Sequence, residues 1–288
     1  MGNALRASTH TVPVLREREI RRLAAIADRE AGISLDTDRT EFLVARLSSR
    51  LNATGAAGFE DYCDLLERPC GSAEVRVFLE SITIHTTSFF RERGHYDWLR
   101  EEGFQMLWDK GAGRTRDLVI WSSACSIGAE LYTAMIVAKE ASEQAFPGLR
   151  FQGIGTDLSR QVVRIAENAV YSSSEITEIP VEKRRWCLLS SRSNDGRYRI
   201  VPELRKRTSW RVGNLSNAGS LSNIQADVAF LRNVLIYFDE PTQVKVITNV
   251  LSRLRPGGFL LTGHSETAQT RSLSNLEIVR PTIYRKVS

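Results

Sequence analysis

The 288-residue sequence is poor in the features that mark a membrane protein or a secreted scaffold. No apolar stretch approaches the ~18 residues needed to cross a bilayer. The opening MGNALRASTHTVPVLRERE has no apolar h-region, so no secretory signal is expected there. Its MGNALR start carries Arg6 where N-myristoylation wants Ser or Thr. Four cysteines (Cys63, Cys70, Cys125, Cys187) are scattered, with no C-x-x-C pair. That argues against a zinc site and a disulfide framework, and for a reducing cytoplasmic setting. No internal repeat, low-complexity tract, metal-ligand cluster or nucleophile–histidine pair is visible.

What is present is an ordinary globular composition. Hydrophobic side chains make up 42% and charged ones 25%, with length enough for two domains of common size. The formal net charge of +5 is modest, but the cations are unevenly spread. Lys183, Arg184, Arg185, Arg192, Arg197, Arg199, Arg205, Lys206, Arg207 and Arg211 share one segment, offset there by Glu182, Asp195 and Glu203. Such a run is usually a solvated face; it can also serve nucleic acid or another acidic partner.

Up to about residue 110 the periodicity is helical. LREREIRRLAAIADREAG repeats Ile20, Leu23, Ile26 and Ala27 at helix spacing, with Gly32 placed to end the helix. DTDRTEFLVARLSSRLNATG sets Leu43, Leu47 and Leu51 four apart, and Arg39, Arg46 and Arg50 project from one stripe beside them. GFEDYCDLLERP, SAEVRVFLESITIHTTSFF and HYDWLREEGFQMLWDKG read as further helices, and GAGRTRD at 111–117 reads as a linker. Beyond it, DLVIWSSAC, RFQGIGTD, ADVAFL and GFLLTGHSE read as strands. They alternate with helices in GAELYTAMIVAKEASEQAF, SRQVVRIAENAVY and PTQVKVITNVLSRLRPGG, and a strand-rich EIVRPTIYRKV closes the chain. This order predicts a doubly wound parallel sheet, which binds ligands at the carboxyl ends of its strands near a topological switch point. RYRIVPELRKRTSWRV alternates differently and reads as a small inserted β-excursion.

Three strand ends carry polar or small residues. The first runs into ACSIGAELY, where small residues and one glycine let backbone approach a ligand as a helix begins. It is not a G-x-G-x-x-G, so a dinucleotide pyrophosphate is poorly served. The second ends in GTDLS, where Asp157 either accepts hydrogen bonds from a ribose or caps the next helix, as Ser159 also could. In the third, ADVAFLRNVLIYFDEPTQ, Arg232 and Asn233 interrupt an apolar run and Tyr237 follows. An unpaired buried amide costs roughly 2–7 kcal/mol. The polar pair therefore either caps a turn before the helix at Asp239 or opens onto a ligand.

WSSACSIGAELYT, GTDLSRQVVRIAENAVYSSSEI, FLRNVLIYFDEPTQ and RPGGFLLTGHSE together resemble the chemotaxis receptor methyltransferases of the CheR type. TSFFRERGHYDWL is similar to that family's phenylalanine-arginine signature, and the likeness covers nearly the whole chain in order. The resemblance implies an α/β fold with a helical N-terminal domain over 1–112. A doubly wound, Rossmann-like methyltransferase domain follows over 113–288, with a small inserted β-subdomain at about 185–212. It implies a bacterial, cytoplasmic, monomeric enzyme without a metal. Its implied reaction moves the methyl group of S-adenosylmethionine to glutamate side chains of chemoreceptor cytoplasmic helices, giving S-adenosylhomocysteine and glutamyl methyl esters in sensory adaptation.

Carried onto this sequence, the family's cofactor contacts fall on His85 (where the family has Asn), Thr87, Arg91, Glu130 and the ribose-binding Asp157. Asn214 and Leu215 take the adenine side, Arg232 and Asn233 match an Arg–Asn pair, and Tyr237 stands beside the transferred methyl. Ala129 replaces the first of two acidic residues after Gly128. Arg91 and Tyr237 are the candidate catalytic residues. The cofactor is expected between the two domains, with Arg91 reaching across from the N-terminal side. Arg39, Arg46 and Arg50 are expected to face acidic receptor helices, with no nucleic-acid partner and no membrane insertion. Each assignment has a plainer reading: Arg91 pairs with Glu92 or a helix end, Tyr237 is a satisfied core phenol, and His264 of GHSE is structural.

The implied chemistry asks little. A glutamate, with an ordinary pKa of about 4.3, is ionised at neutral pH and needs no general base. Positioning and exclusion of water remain as the enzyme's tasks. Two other readings use the same residues. The basic segment 183–211 suggests a nucleic-acid methyltransferase, although only Trp186, Tyr198 and Trp210 interleave as aromatic platforms. The departures at Ile84, His85 and Ala129 suggest a cofactor-binding regulator without turnover.

Overall fold

The computed structural model describes residues 14–35, 40–191, 195–266 and 275–287. Its contacts divide the chain into two units, Met1–Ile84 and His85–Ser288.

The first unit is helical. In α1 (Glu17–Ala31) the Glu19 carboxylate turns back to accept the Arg16 backbone N–H at 2.8 Å, and the helix stops at Gly32 with φ of 71°. Ile20, Leu23, Ile26 and Ala27 are buried along it, and α2 (Thr40–Thr54) buries Leu43, Leu47 and Leu51. α3 (Phe59–Glu67) and α4 (Ser72–Ile82) complete the unit, with Tyr62 edge-on to Phe78. The arginine stripe of α2 is divided. The Arg50 guanidinium donates to both oxygens of Glu74 at 2.9 and 2.7 Å, and the Tyr62 hydroxyl donates to the same carboxylate at 2.9 Å. Arg46 is exposed and lies over the Phe42 ring at 5.4 Å, while Arg39 lies outside the described residues.

The second unit begins at His85, well ahead of the segment expected to separate two domains. Helix α4 ends at Ile82 instead of running on to Phe90, and the short α5 (Gly94–Trp98), a π-turn over Leu99–Gly103 and α6 (Phe104–Asp109) follow. Their Tyr96, Trp98, Leu99, Phe104 and Leu107 are buried in one core with Leu118, Leu131 and Met135. Residues 111–117 form a tight turn: Gly111 and Gly113 have φ of 88° and 81°, and the Gly113 N–H donates to the Arg116 carbonyl at 2.7 Å. These glycines serve a turn and not a linker.

The remaining elements are β1 (Leu118–Ser122), α7 (Ala129–Gln144), β2 (Phe151–Asp157), α8 (Arg160–Asn168), β3 (Val170–Ser172), α9 (Val181–Cys187), β4 (Leu188–Ser190), β5 (Arg197–Ile200), α10 (Pro202–Arg205), β6 (Thr208–Val212), β7 (Ala226–Leu231), α11 (Glu240–Arg253), β8 (Leu254–Thr262), β9 (Leu276–Arg280) and β10 (Ile283–Lys286). Seven strands form one sheet in the order β6-β2-β1-β7-β8-β10-β9. It is parallel from β6 to β8 and closes with the antiparallel β10 and β9. β1 and β7 are buried at every position, as expected of central strands covered on both faces. Strand order reverses between them, which makes their carboxyl ends the switch point.

The inserted β-excursion differs from expectation. β5 pairs with β3 on one side and β4 on the other in a separate antiparallel sheet, whereas β6 is an edge strand of the main sheet. Glycine explains the join. A Cβ on Gly155 of β2 would lie 2.3 Å from Cε3 of Trp210, so the indole of β6 rests on bare backbone. At the other end of the sheet the buried Asp227 of β7 accepts Arg116 at 2.7 and 2.6 Å and the Val119 N–H at 2.9 Å. Those donors offset the cost of burying its charge.

Candidate functional site

The carboxyl ends of β1, β2 and β7 lie side by side. Ser122, the last residue of β1, donates to Glu130 Oε1 at 2.7 Å, and Glu130 sits in the first turn of α7. Between them Ser126 takes a left-handed φ of 48°, which lets it bind in two directions. Its backbone N–H donates to Asp157 Oδ2 at 2.8 Å and its hydroxyl to the His85 carbonyl at 2.7 Å. Asp157 Oδ1 accepts the Ser159 N–H at 3.0 Å, while Ser159, and not Asp157, caps α8 by accepting the Val162 N–H. Gly128 was expected to open backbone to a ligand. A Cβ there would instead meet Ala166 at 2.8 Å and Trp210 at 2.9 Å, so this glycine, at φ 91°, serves the packing of α7 on its neighbours.

Arg232 follows β7 directly, and its side chain is 1% exposed. Nη1 donates to Glu130 Oε2 at 2.9 Å and to the Tyr96 hydroxyl at 3.3 Å. Nη2 donates to the Arg91 carbonyl at 2.6 Å and lies 3.3 Å from Glu92 Oε2. Nε has no hydrogen-bond partner among the described residues. The burial of this guanidinium is therefore answered by protein groups. Burial also pushes the Glu130 carboxyl up, against the pull of Arg232 and Ser122. On Arg232 itself burial opposes the charge, but Glu130, Tyr96 and Glu92 outweigh it and raise its pKa.

The next residues hang on a group that the sequence reading did not assign. Asn233 has φ of 57°, and the carboxylate of Glu266, in the GHSE segment, accepts its N–H at 2.7 Å. The same carboxylate accepts the N–H of Val234 at 2.7 Å, Leu235 at 2.8 Å and Gly263 at 2.9 Å. Burial raises the pKa of Glu266, with the four amides opposing. Tyr237, half-buried, closes the short 3₁₀ turn Leu235–Tyr237, just before Asp239 caps α11 by accepting the Thr242 N–H at 3.0 Å. Beyond β6, Asn214 Oδ1 accepts the N–H and hydroxyl of Ser216 at 2.9 and 2.8 Å, and the carbonyl of the buried Leu215 accepts the Asn249 amide at 2.8 Å. The Gly213 N–H donates to the Asp157 carbonyl at 2.9 Å, which ties this turn to the end of β2.

Arg91 belongs to the same unit as the strand ends, so it does not reach over from a separate N-terminal domain. Its guanidinium donates to the Thr86 carbonyl at 3.0 Å, and with Thr87, Glu175 and Glu178 it lines an open cavity of ≈ 520 Å³. A second cleft of ≈ 410 Å³ is bounded by Glu92, His95, His264 and Thr282. The buried His95 places Nε2 at 2.7 Å from Thr282 Oγ1, and that hydroxyl donates to the Pro281 carbonyl at 2.5 Å. The ring therefore carries its proton on Nε2, leaving Nδ1 bare at 3.7 Å from Glu92 Oε2. Burial, with Arg232 and His264 adding to it, holds the His95 pKa down to about 3.

Hydrogen bonds thus join His85, Asp157 and Ser126 in one group, and Arg91, Glu130 and Arg232 in another; Asn233 is joined to Glu266. Much of the basic segment is internally engaged. Arg184 donates to the carbonyls of Ile179 and Thr177, Arg199 to that of Asn168, Arg205 to that of Ile200, and Arg211 to that of Ser222. Lys183 pairs with Glu140, and Arg192 lies outside the described residues.

Residues 85–283 match the family described as CheR methyltransferase, SAM binding domain, and residues 18–83 match CheR methyltransferase, all-alpha domain. The chain is 34% identical over 239 residues to "Chemotaxis protein methyltransferase 2" of Pseudomonas aeruginosa, covering 83% of this chain and 82% of that protein. It is 32% identical over 266 residues to "Chemotaxis protein methyltransferase" of Klebsiella aerogenes, covering 92% and 88%. A protein of the same name from Borreliella burgdorferi is 30% identical over 269 residues, covering 93% and 94%.

Proposed function

The chain belongs to the CheR methyltransferase family, and on that premise we propose that it moves the methyl group of S-adenosylmethionine to glutamate side chains of chemoreceptor cytoplasmic helices. One observation carries the reading: Asp157 closes β2, and beside it Glu130, in the first turn of α7 after β1, accepts Arg232 from the end of β7, whose other arm binds the Arg91 backbone.

The groups present fit the cofactor's chemistry, which combines a ribose diol, an ammonium, a carboxylate and a sulfonium. Asp157, a carboxylate at the end of β2 that accepts the Ser126 and Ser159 N–H groups, is the group we assign to the ribose hydroxyls. The Glu130 carboxylate suits an ammonium, and the Arg91 fork suits a carboxylate. We assign His85 and Thr87 to the same end as Arg91, Asn214 and Leu215 to the adenine side, and Asn233 to the floor beside Arg232. When bound, the cofactor supplies an electrophilic methyl group. The receptor glutamate is already ionised near neutrality, so no side chain of this chain has to remove a proton. Arg91 and Tyr237 orient the reacting carboxylate, and good orientation supplies roughly 7–11 kcal/mol of such a barrier.

Arg46, exposed on α2, is the arginine we assign to the acidic receptor surface; Arg50 is committed to Glu74. Among the described residues no helix is long and apolar enough to cross a membrane. We take the enzyme to act as a cytoplasmic monomer. A nucleic-acid substrate is less well supported, because so many cations between 183 and 211 are tied to backbone carbonyls. Incubating the chain with radiolabelled S-adenosylmethionine and receptor cytoplasmic fragments tests the reading. Base-labile label on the fragments is expected; label on RNA alone would refute it.

A further inference from the structure

The backbone around Arg91 is held in an unusual way. Phe90 and Glu92, neither of them glycine, take left-handed φ values of 55° and 54° on either side of it. Side-chain-bearing residues keep such conformations only where their surroundings over-determine them. Three contacts do this here. The Phe90 N–H donates to Thr133 Oγ1 of α7 at 3.1 Å. The Arg91 carbonyl accepts Arg232 Nη2 at 2.6 Å. Glu92 Oε2 lies 3.3 Å from that same nitrogen. The other arm of the guanidinium is aimed by Glu130 Oε2 at 2.9 Å and by the Tyr96 hydroxyl at 3.3 Å.

We propose that Arg232, aimed by Glu130 and paired with Glu92, is a positioning residue that fixes the 90–92 backbone and so delivers the Arg91 side chain to the methyl-transfer centre. The inference rests on the role given to Arg91 above. It gives Glu92, which matched no site position, and Arg232, matched only as a cofactor contact, one shared task. The geometry also explains the residue type. A planar fork can meet Glu130 on one arm and both the Arg91 carbonyl and Glu92 on the other, whereas a lysine offers a single compact ammonium. The pairing is interdependent. Glu92 Oε2 is buried and makes no hydrogen bond among the described residues, so without the Arg232 charge 3.3 Å away its burial would lose that compensation. The left-handed turn would also lose the contact that closes it from the sheet side.

A double-mutant cycle on the full chain tests this. Arg232→Lys and Glu92→Gln are each made with Arg91 present and with Arg91→Ala. Methyl-ester formation on receptor fragments, S-adenosylhomocysteine affinity and melting temperature are then measured. With Arg91 present, Arg232→Lys should lower kcat about 100-fold and Glu92→Gln about 10-fold at unchanged receptor KM, since misplacing a group by an ångström costs that much. In the Arg91→Ala background both losses should shrink to within about threefold, because the group being positioned is gone. A merely structural role would lower activity by the same factor in both backgrounds, and such additivity overturns the proposal. If Arg232→Lys does not fold, Glu92→Gln, on a partly exposed side chain, carries the same comparison. If the unsubstituted chain makes no methyl ester, the functional reading falls. The cycle is then read on S-adenosylhomocysteine affinity, where coupling above about threefold upholds the positioning role and additivity refutes it.

Discussion

Acidifying the protein from about pH 7.5 to about pH 4.5 should weaken the second unit through His95. The imidazole is buried against Thr282 and faces the Arg232 guanidinium, the Glu92 carboxylate and the His264 ring. Its pKa is about 3 in the fold against the ordinary 6.5 of an unfolded chain. The folded value lies below the unfolded one, so on acidification the unfolded chain binds the proton first. The contribution is therefore whole above about pH 6.5 and drains away as pH falls toward 3. At about pH 4.5 the unfolded ring is protonated roughly a hundredfold over neutral while the folded ring is mostly neutral, which amounts to ~2.7 kcal/mol. Glu130 and Glu266, whose pKa values are raised, act in the opposite sense, so the wild-type profile alone mixes signs. The substitution His95→Gln keeps an amide donor for Thr282 and cannot gain the proton. Urea unfolding followed by tryptophan fluorescence isolates the effect, because all five tryptophans lie between 85 and 288. Relative to wild type, the variant should gain ~2.7 kcal/mol between the two pH values. Parallel pH curves for the two proteins would refute the assignment of a neutral buried His95.

Four further outcomes are expected. Arg46→Glu should reduce methylation of receptor fragments and flatten its dependence on salt, with S-adenosylhomocysteine affinity unchanged. By contrast Arg50→Glu should destabilise the first unit by about 1.5–3 kcal/mol, read by circular dichroism, because it breaks a bidentate pair with Glu74. Gly155→Ala puts a methyl group 2.3 Å from the Trp210 ring and should cost about 1–3 kcal/mol, with a shift in tryptophan emission. Glu266→Gln keeps one acceptor oxygen but turns the other into an NH2 donor facing two of the four amide N–H groups; kcat should fall as the 233–237 turn loosens, and an unchanged kcat would mean that Glu266 only stabilises.

How much of this could be read from sequence depended on whether a signal was local. The central strands were legible because β1 and β7 are apolar without alternation, and by the same rule Arg232 stood out as a charge that had to be answered. What answers it was not legible, since Tyr96, Glu130 and the Arg91 carbonyl lie 136, 102 and 141 positions away. The unit boundary was hidden for a related reason. Periodicity shows that α5 and α6 have an apolar face, but not that Trp98 and Phe104 bury it against the sheet's core. The glycines at 111–117 look the same in a linker as in a turn until their φ values are known. β6 was mistaken for part of an excursion because its own alternation suits either sheet; the deciding residue was its partner, Gly155, whose missing side chain makes room for Trp210. Glu266 was the avoidable omission. It follows a strand buried on its inner run, as Arg232 does, and a carboxylate there also has to find donors. Applied to both strand ends, that single rule would have marked the two residues that hold the 90–92 and 233–237 turns.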